Sequence, residues 1–75
     1  MITKKISMTP EDVKQFVNVA TKCDFDIDIS NRSFAVDAKS IVGVLGLDFS
    51  SPLYVSYDGY NEELEKLMHT YACAS

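Results

Sequence analysis

Apolar and polar positions alternate from Ile2 to Met8, with Ile2, Ile6 and Met8 on one side and Thr3, Lys5 and Ser7 on the other. That period of two predicts a half-buried strand. Thr9-Pro10-Glu11-Asp12 then predicts a helix start: a hydroxyl at the N-cap, a proline where no N–H is needed, and acids near the positive end of the helix. Val13, Phe16, Val17 and Ala20, widened by Val19 and Cys23, form an apolar stripe that carries the helix to about Lys22. From Asp24 the period returns to two, with Phe25, Ile27 and Ile29 facing in and Asp24, Asp26 and Asp28 facing water. Ser30-Asn31-Arg32-Ser33 predicts a turn, after which Phe34, Val36 and Ala38 complete a hairpin. Arg32 argues against a type I′ turn, since a positive φ is costly for it.

Ser40 caps a short helix with Ile41, Val44 and Leu45 on one stripe, kept brief by Gly43 and Gly46. Pro52 precedes a strand, Leu53 to Tyr57, that ends at the Asp58-Gly59 turn. Asn61 caps the last helix, whose stripe is Leu64, Leu67, Met68, Tyr71 and Ala72 and whose first turns hold Glu62, Glu63 and Glu65. The order β-α-β-β-α-β-α, with one-sided strands and one-sided helices, predicts an α+β, open-faced two-layer sandwich in which helices cover one face of a four-stranded antiparallel sheet.

Seventy-five residues leave room for one domain, residues 1–75. Seven Lys+Arg against eleven Asp+Glu give a formal charge of −4, and no basic cluster stands apart, so nucleic acid is not an expected partner. The longest apolar stretch falls well short of the ~20 residues of a membrane span, and nothing near Met1 resembles a signal-peptide core, which together predict a cytoplasmic protein away from membranes. Cys23 and Cys73 sit fifty positions apart with His69 as the single histidine, a spacing that makes neither a redox pair nor a metal site, so both thiols are expected to be buried hydrophobes. Asp24, Asp26 and Asp28 read as a solvated strand face, because alternate side chains on a straight strand stand about 6–7 Å apart and do not converge on a cation. No nucleophile, base and orienting group occur at a recognisable spacing, and no cofactor is called for; enzymatic activity is not expected.

The element order, together with Asn31 to Leu47 (Asn-Arg-Ser-Phe-Ala-Val-Asp-Ala-Lys-Ser-Ile-Val-Gly-Val-Leu-Gly-Leu), resembles HPr, the small phosphocarrier of the bacterial phosphoenolpyruvate-dependent sugar phosphotransferase system. Phe16-Val17 with Ala20 is a second, weaker match. The resemblance places the family's phosphorylated histidine at Thr9 and its arginine at Glu11, so the acceptor and the cation are both replaced. Threonine forms no labile phosphoramidate, and Glu11 repels a phosphoryl group. His69 lies off the apolar stripe of its helix and is expected to point to solvent.

The resemblance further implies that Ser40 is the target of an ATP-dependent HPr kinase/phosphorylase. It also implies that the short helix docks partners through Ile41, Val42 and Leu45, with Lys39 pairing the phosphate. A phosphoserine at a helix N-cap faces free N–H groups, which favours the modified state. The chain is thus similar to catabolite-repression HPr-like proteins, and the partners this implies are a kinase, a transcriptional regulator or phosphotransferase-system components. Two further readings stand beside this one: a phosphocarrier with a non-standard acceptor, and an unphosphorylated homodimeric scaffold joined through the first strand or the Ile41 patch.

Overall fold

The computed structural model describes residues 1–73 and contains four strands and three helices around one apolar core. The strands are β1 (Ile2–Ile6), β2 (Ile27–Ser30), β3 (Ala35–Asp37) and β4 (Leu53–Tyr57). The helices are α1 (Val13–Lys22), α2 (Ile41–Leu45) and α3 (Glu62–Tyr71), with a 3-10 turn at Pro10–Asp12 leading into α1. The antiparallel sheet runs β1-β4-β2-β3, so the last strand in sequence lies between the first and the second. The sandwich is α+β with all three helices contributing to one core, as the two periodicities predict.

Inward positions of the sheet are Ile6, Ile27, Ile29, Leu53, Val55 and Tyr57, each almost completely buried. Against them pack Val13, Phe16, Val17, Val19 and Ala20 of α1 and Leu64, Leu67 and Met68 of α3. At about 1.5–3 kcal/mol for each large apolar side chain removed from water, this interdigitation is the main favourable contribution to folding. α2, at five residues, is too short to persist alone and is held by buried Val44 and by Leu47 just beyond it.

Several boundaries differ from the sequence expectation, and each difference has a tertiary cause. β1 ends at Ile6 because its partner β4 begins at Leu53, which lies opposite Ile6; Met8 is buried, but outside the strand. β2 begins at Ile27, not Asp24, because Ile27 already pairs with the last residue of β4, Tyr57. Phe25, left outside the sheet, stacks on Tyr57 with ring centroids 5.9 Å apart. The hairpin turn spans Asn31–Phe34: Asn31 Oδ1 accepts from the N–H groups of Ser33 and Phe34, and no described residue has a positive φ. Phe34 consequently lies in the turn, exposed, instead of restarting the alternation. Ala72 falls outside α3 and bridges Ile6, while the N–H of Ser7 donates to Tyr71 O and the N–H of Cys73 to Lys5 O. This short segment covers part of the outer edge of β1, leaving its Ile2–Lys4 half for any strand-to-strand dimer. Cys23 is buried as expected, whereas Cys73 is only half-buried; both are free thiols.

Tyr57 is where the layers meet: its hydroxyl donates to Glu65 Oε2 of α3 at 2.6 Å. Burial, reinforced by that hydrogen bond and by the Glu65 charge, holds the phenol well above its ordinary range. In the unfolded chain it ionises near pH 10, so the stabilisation it contributes is complete below about pH 10 and is lost as the pH rises beyond that. Tyr57→Phe is expected to destabilise by about 1–2 kcal/mol at pH 7 and to flatten the alkaline fall in stability, read from urea midpoints between about pH 8 and 11. Tyr71, also raised by burial, leaves a residual slope.

Phe25 closes over Gly59, where an added Cβ would lie 2.4 Å from Cδ2 of the ring. Gly59→Ala is therefore expected to cost about 1–3 kcal/mol through displacement of Phe25, seen as a lower urea midpoint. In the companion variant Phe25→Ala, the added cost of Gly59→Ala should nearly vanish.

Candidate functional site

Ser40 adopts an extended conformation just ahead of α2, and its Oγ accepts from the N–H of Gly43 at 3.2 Å. Its own N–H donates to Asp37 O, which ties the cap to the end of β3. Gly43 is tightly enclosed: a Cβ there would stand 3.3 Å from both Ser40 Oγ and Val36 Cβ, so glycine lets α2 lie close on β3. With Val44 turned inward, Ile41, Val42 and Leu45 are left 43, 79 and 50% exposed. Burial on one side and exposure on the other follow from the turn angle of a helix that packs on α1 and β3 with its inner side alone.

Phe34, 48% exposed, was not among the sequence candidates. It lines a surface groove with Gly46 and Asp48, between the β2–β3 turn and the end of α2. Alternation with Val36 predicts it inside; the turn closed by Asn31, whose N–H donates to Phe34 O and whose Oδ1 accepts from Ser33 and Phe34 N–H, leaves it outside.

Lys39 is placed differently from the sequence expectation. It is half-buried, and its Nζ donates to the carbonyl of Cys23 at 3.0 Å, where α1 ends. A cation there faces the negative end of the helix and satisfies one of its orphan carbonyls. Lys39 therefore braces α1 against the β3–α2 junction, instead of standing free beside Ser40. Burial pushes the Cys23 thiol up, and the nearby Lys39 charge works against that rise.

At the other candidate position, Thr9 precedes the 3-10 turn with both its N–H (2.9 Å) and its hydroxyl (3.0 Å) directed at Asp12 Oδ2. The hydroxyl thus donates to a carboxylate, while Thr9 holds the N-cap position read from the sequence, extended ahead of the turn and joined to Asp12 in a capping box. Glu11 is exposed beside it, so two acids flank the one hydroxyl. The charge of these two carboxylates opposes an incoming phosphoryl dianion. No hydrogen bond or ion pair among the described residues joins Thr9 or Glu11 to Lys39 or Ser40.

His69 is exposed, and it borders a groove with Lys4 and Lys5 at the edge of the sheet. Among the described residues, no group of three or more His, Cys, Asp or Glu side chains is placed to hold a metal ion, and no helix is long and apolar enough to cross a membrane. Asp24, Asp26 and Asp28 are exposed. Asp28 lies directly opposite Asp37 in the register.

The architecture is shared with solved structures of phosphocarriers. HPr-C-His from Thermoanaerobacter tengcongensis superposes with a TM-score of 0.72 at 23% identity, covering 93% of each chain. The phosphocarrier protein HPr from Bacillus anthracis str. Ames gives 0.70 at 25% identity over 96% of each. The fold is that of HPr. No protein-family model matches the sequence, and no curated protein matches it significantly. Agreement with the HPr fold thus extends over more than nine tenths of the chain.

Removal of the Ser40 hydroxyl tests the local geometry. Ser40→Ala is expected to lower stability by about 1 kcal/mol in urea unfolding, and Ser40→Asp to recover part of that loss, since its carboxylate accepts from the same N–H.

Proposed function

We propose that this protein is an HPr-like regulatory binding module in which α2 docks partner proteins, Ser40 is the phosphorylated residue, and histidine phosphocarrier chemistry is absent. The observation that carries this reading is the exposed hydroxyl of Ser40 at the head of a helix whose outer side chains, Ile41, Val42 and Leu45, are apolar and uncovered. An apolar patch on a chain this small is suited to a protein surface. A phosphate on Ser40 places close to two negative charges at the rim of that patch, so docking becomes conditional on modification. The Thr9–Asp12 hydrogen bonds support the absence of carrier chemistry. Partners of this kind are a kinase, a transcriptional regulator or phosphotransferase-system proteins, encountered in the cytoplasm by a single-domain protein. No catalysis or cofactor of its own is part of the reading.

The test is the intact mass after incubation with HPr kinase and ATP, and separately with the general phosphotransferase enzyme and phosphoenolpyruvate, followed by peptide mapping. One acid-stable phosphate on Ser40 from ATP alone is the expected result, absent in Ser40→Ala. An acid-labile phosphate from phosphoenolpyruvate would restore the carrier reading. Silence from both donors, with a stable dimer that Val42→Asp dissolves, would instead make the patch a self-association surface.

A further inference from the structure

The segment that follows α3 continues onto the sheet. Ala72 is extended, with φ −55° and ψ 131°, so the chain passes from helix to strand without a loop and runs antiparallel to β1, Ala72 opposite Ile6. Tyr71 O accepts from the N–H of Ser7 at 2.9 Å, and the N–H of Cys73 donates to Lys5 O at 3.1 Å. The first bond serves the helix, since it satisfies one of its orphan carbonyls. The second has no such use: Cys73 lies outside α3, and its N–H goes to the edge of the sheet.

These bonds fix which way the backbone of β1 points. The N–H and C=O groups of Lys5 and Ser7 face away from β4, and by the two-residue alternation of a strand those of Thr3 do the same. Among the described residues, the N–H and C=O of Thr3 and the N–H of Lys5 carry no backbone hydrogen bond. β1 is an edge of the sheet, and beside these groups stand Met1, 89% exposed, and Ile2, 40% exposed. An edge with open polar groups and apolar side chains is a template for another strand.

From this we infer that Tyr71–Cys73 is a guard on the β1 edge, and that what it turns away is a second copy of this chain adding antiparallel along β1. Charge selects the register such a copy would take. Pairing centred on Thr3 sets Lys4 against Ile2 and Lys5 against Met1 of the other copy, so no like charges face each other and the lysine stems lie beside apolar side chains. Centring on Lys4 or on Lys5 would set two ammoniums face to face. In the Thr3 register, Thr3 exchanges two N–H···O bonds with its counterpart, and Lys5 pairs with Met1 of the other copy. Cys73 already occupies the place beside Lys5, so the guarded edge keeps only the central Thr3 pair, too little to hold two molecules together. The guard involves neither Ser40 nor α2 and is independent of the function proposed for them.

The test is sedimentation equilibrium, under reducing conditions, of the full chain, of a chain ended at Tyr71, and of Cys73→Pro, which removes the N–H that closes on Lys5. The extended Ala72 is already in a conformation that a following proline tolerates. The full chain is expected to stay monomeric up to about 1 mM, whereas both variants, their circular dichroism unchanged, dimerise with a Kd on the order of 100 μM. Adding Thr3→Pro, which removes an outward N–H that takes no part in the ladder to β4, should return the variants to monomers, and adding Val42→Asp should not. Folded variants that stay monomeric, a full chain that associates as strongly as they do, dimers that survive Thr3→Pro or dissolve with Val42→Asp, or loss of the fold in both variants would each overturn the proposal.

Discussion

The pairing of β4 on both sides is the constraint on which the rest of the molecule depends. Leu53–Tyr57 is the last strand made and the one that the first and second strands both need. Its final residue sets three limits at once: Ile2 and Ile27 lie opposite Tyr57, Phe25 stacks on its ring, and its hydroxyl reaches Glu65. The sheet, the approach to β2 and the seat of α3 are thereby fixed relative to one side chain. A strand so late in sequence also means that the sheet closes only after most of the chain has been placed, which raises contact order and slows folding relative to a helical bundle of equal length.

The shared fold and the candidate site rest on different positions. Inward-facing side chains carry the architecture, and these remain ordinary apolar residues. The residues at the turn before α1 and at the head of α2 touch little of the core. The Thr9 hydroxyl is bound to Asp12, outside every strand. Ser40, by contrast, keeps a structural duty through Gly43 whether or not it is ever modified, which makes its presence less costly to retain than its absence.

Much of the fold was legible because each element announced its own period: two for Ile27–Ile29 and Leu53–Tyr57, 3.6 for Val13–Lys22 and Glu62–Tyr71. The cap residues Ser40 and Asn61 were legible too, since a short polar side chain before an apolar stripe has one obvious task. What escaped was decided by partners distant in sequence. Asp24 and Phe25 carry a strand pattern but find no strand beside them, as β4 has already ended. Phe34 alternates correctly with Val36, yet a side-chain hydrogen bond from Asn31 overrides the pattern. Lys39 beside Ser40 suggests a phosphate partner along the chain, whereas in space the carbonyl of Cys23 is there to receive it. The apolar exposure of Ile41, Val42 and Leu45 was readable because, with Val44 and Leu47 turned inward, the remaining apolar side chains are left outward.

No described residue has a positive φ, glycine or otherwise. Backbone torsion by itself therefore dictates no residue type in the described chain: the hairpin is turned by a side-chain amide, α2 ends on a right-handed Gly46, and Gly59 answers to the ring of Phe25. A scaffold of this kind is conformationally permissive to drift. Its turns can change composition without passing through a strained intermediate, and selection acts on volume and polarity instead of on dihedral angles. That latitude gives a physical basis for one architecture persisting where about three quarters of the residues differ.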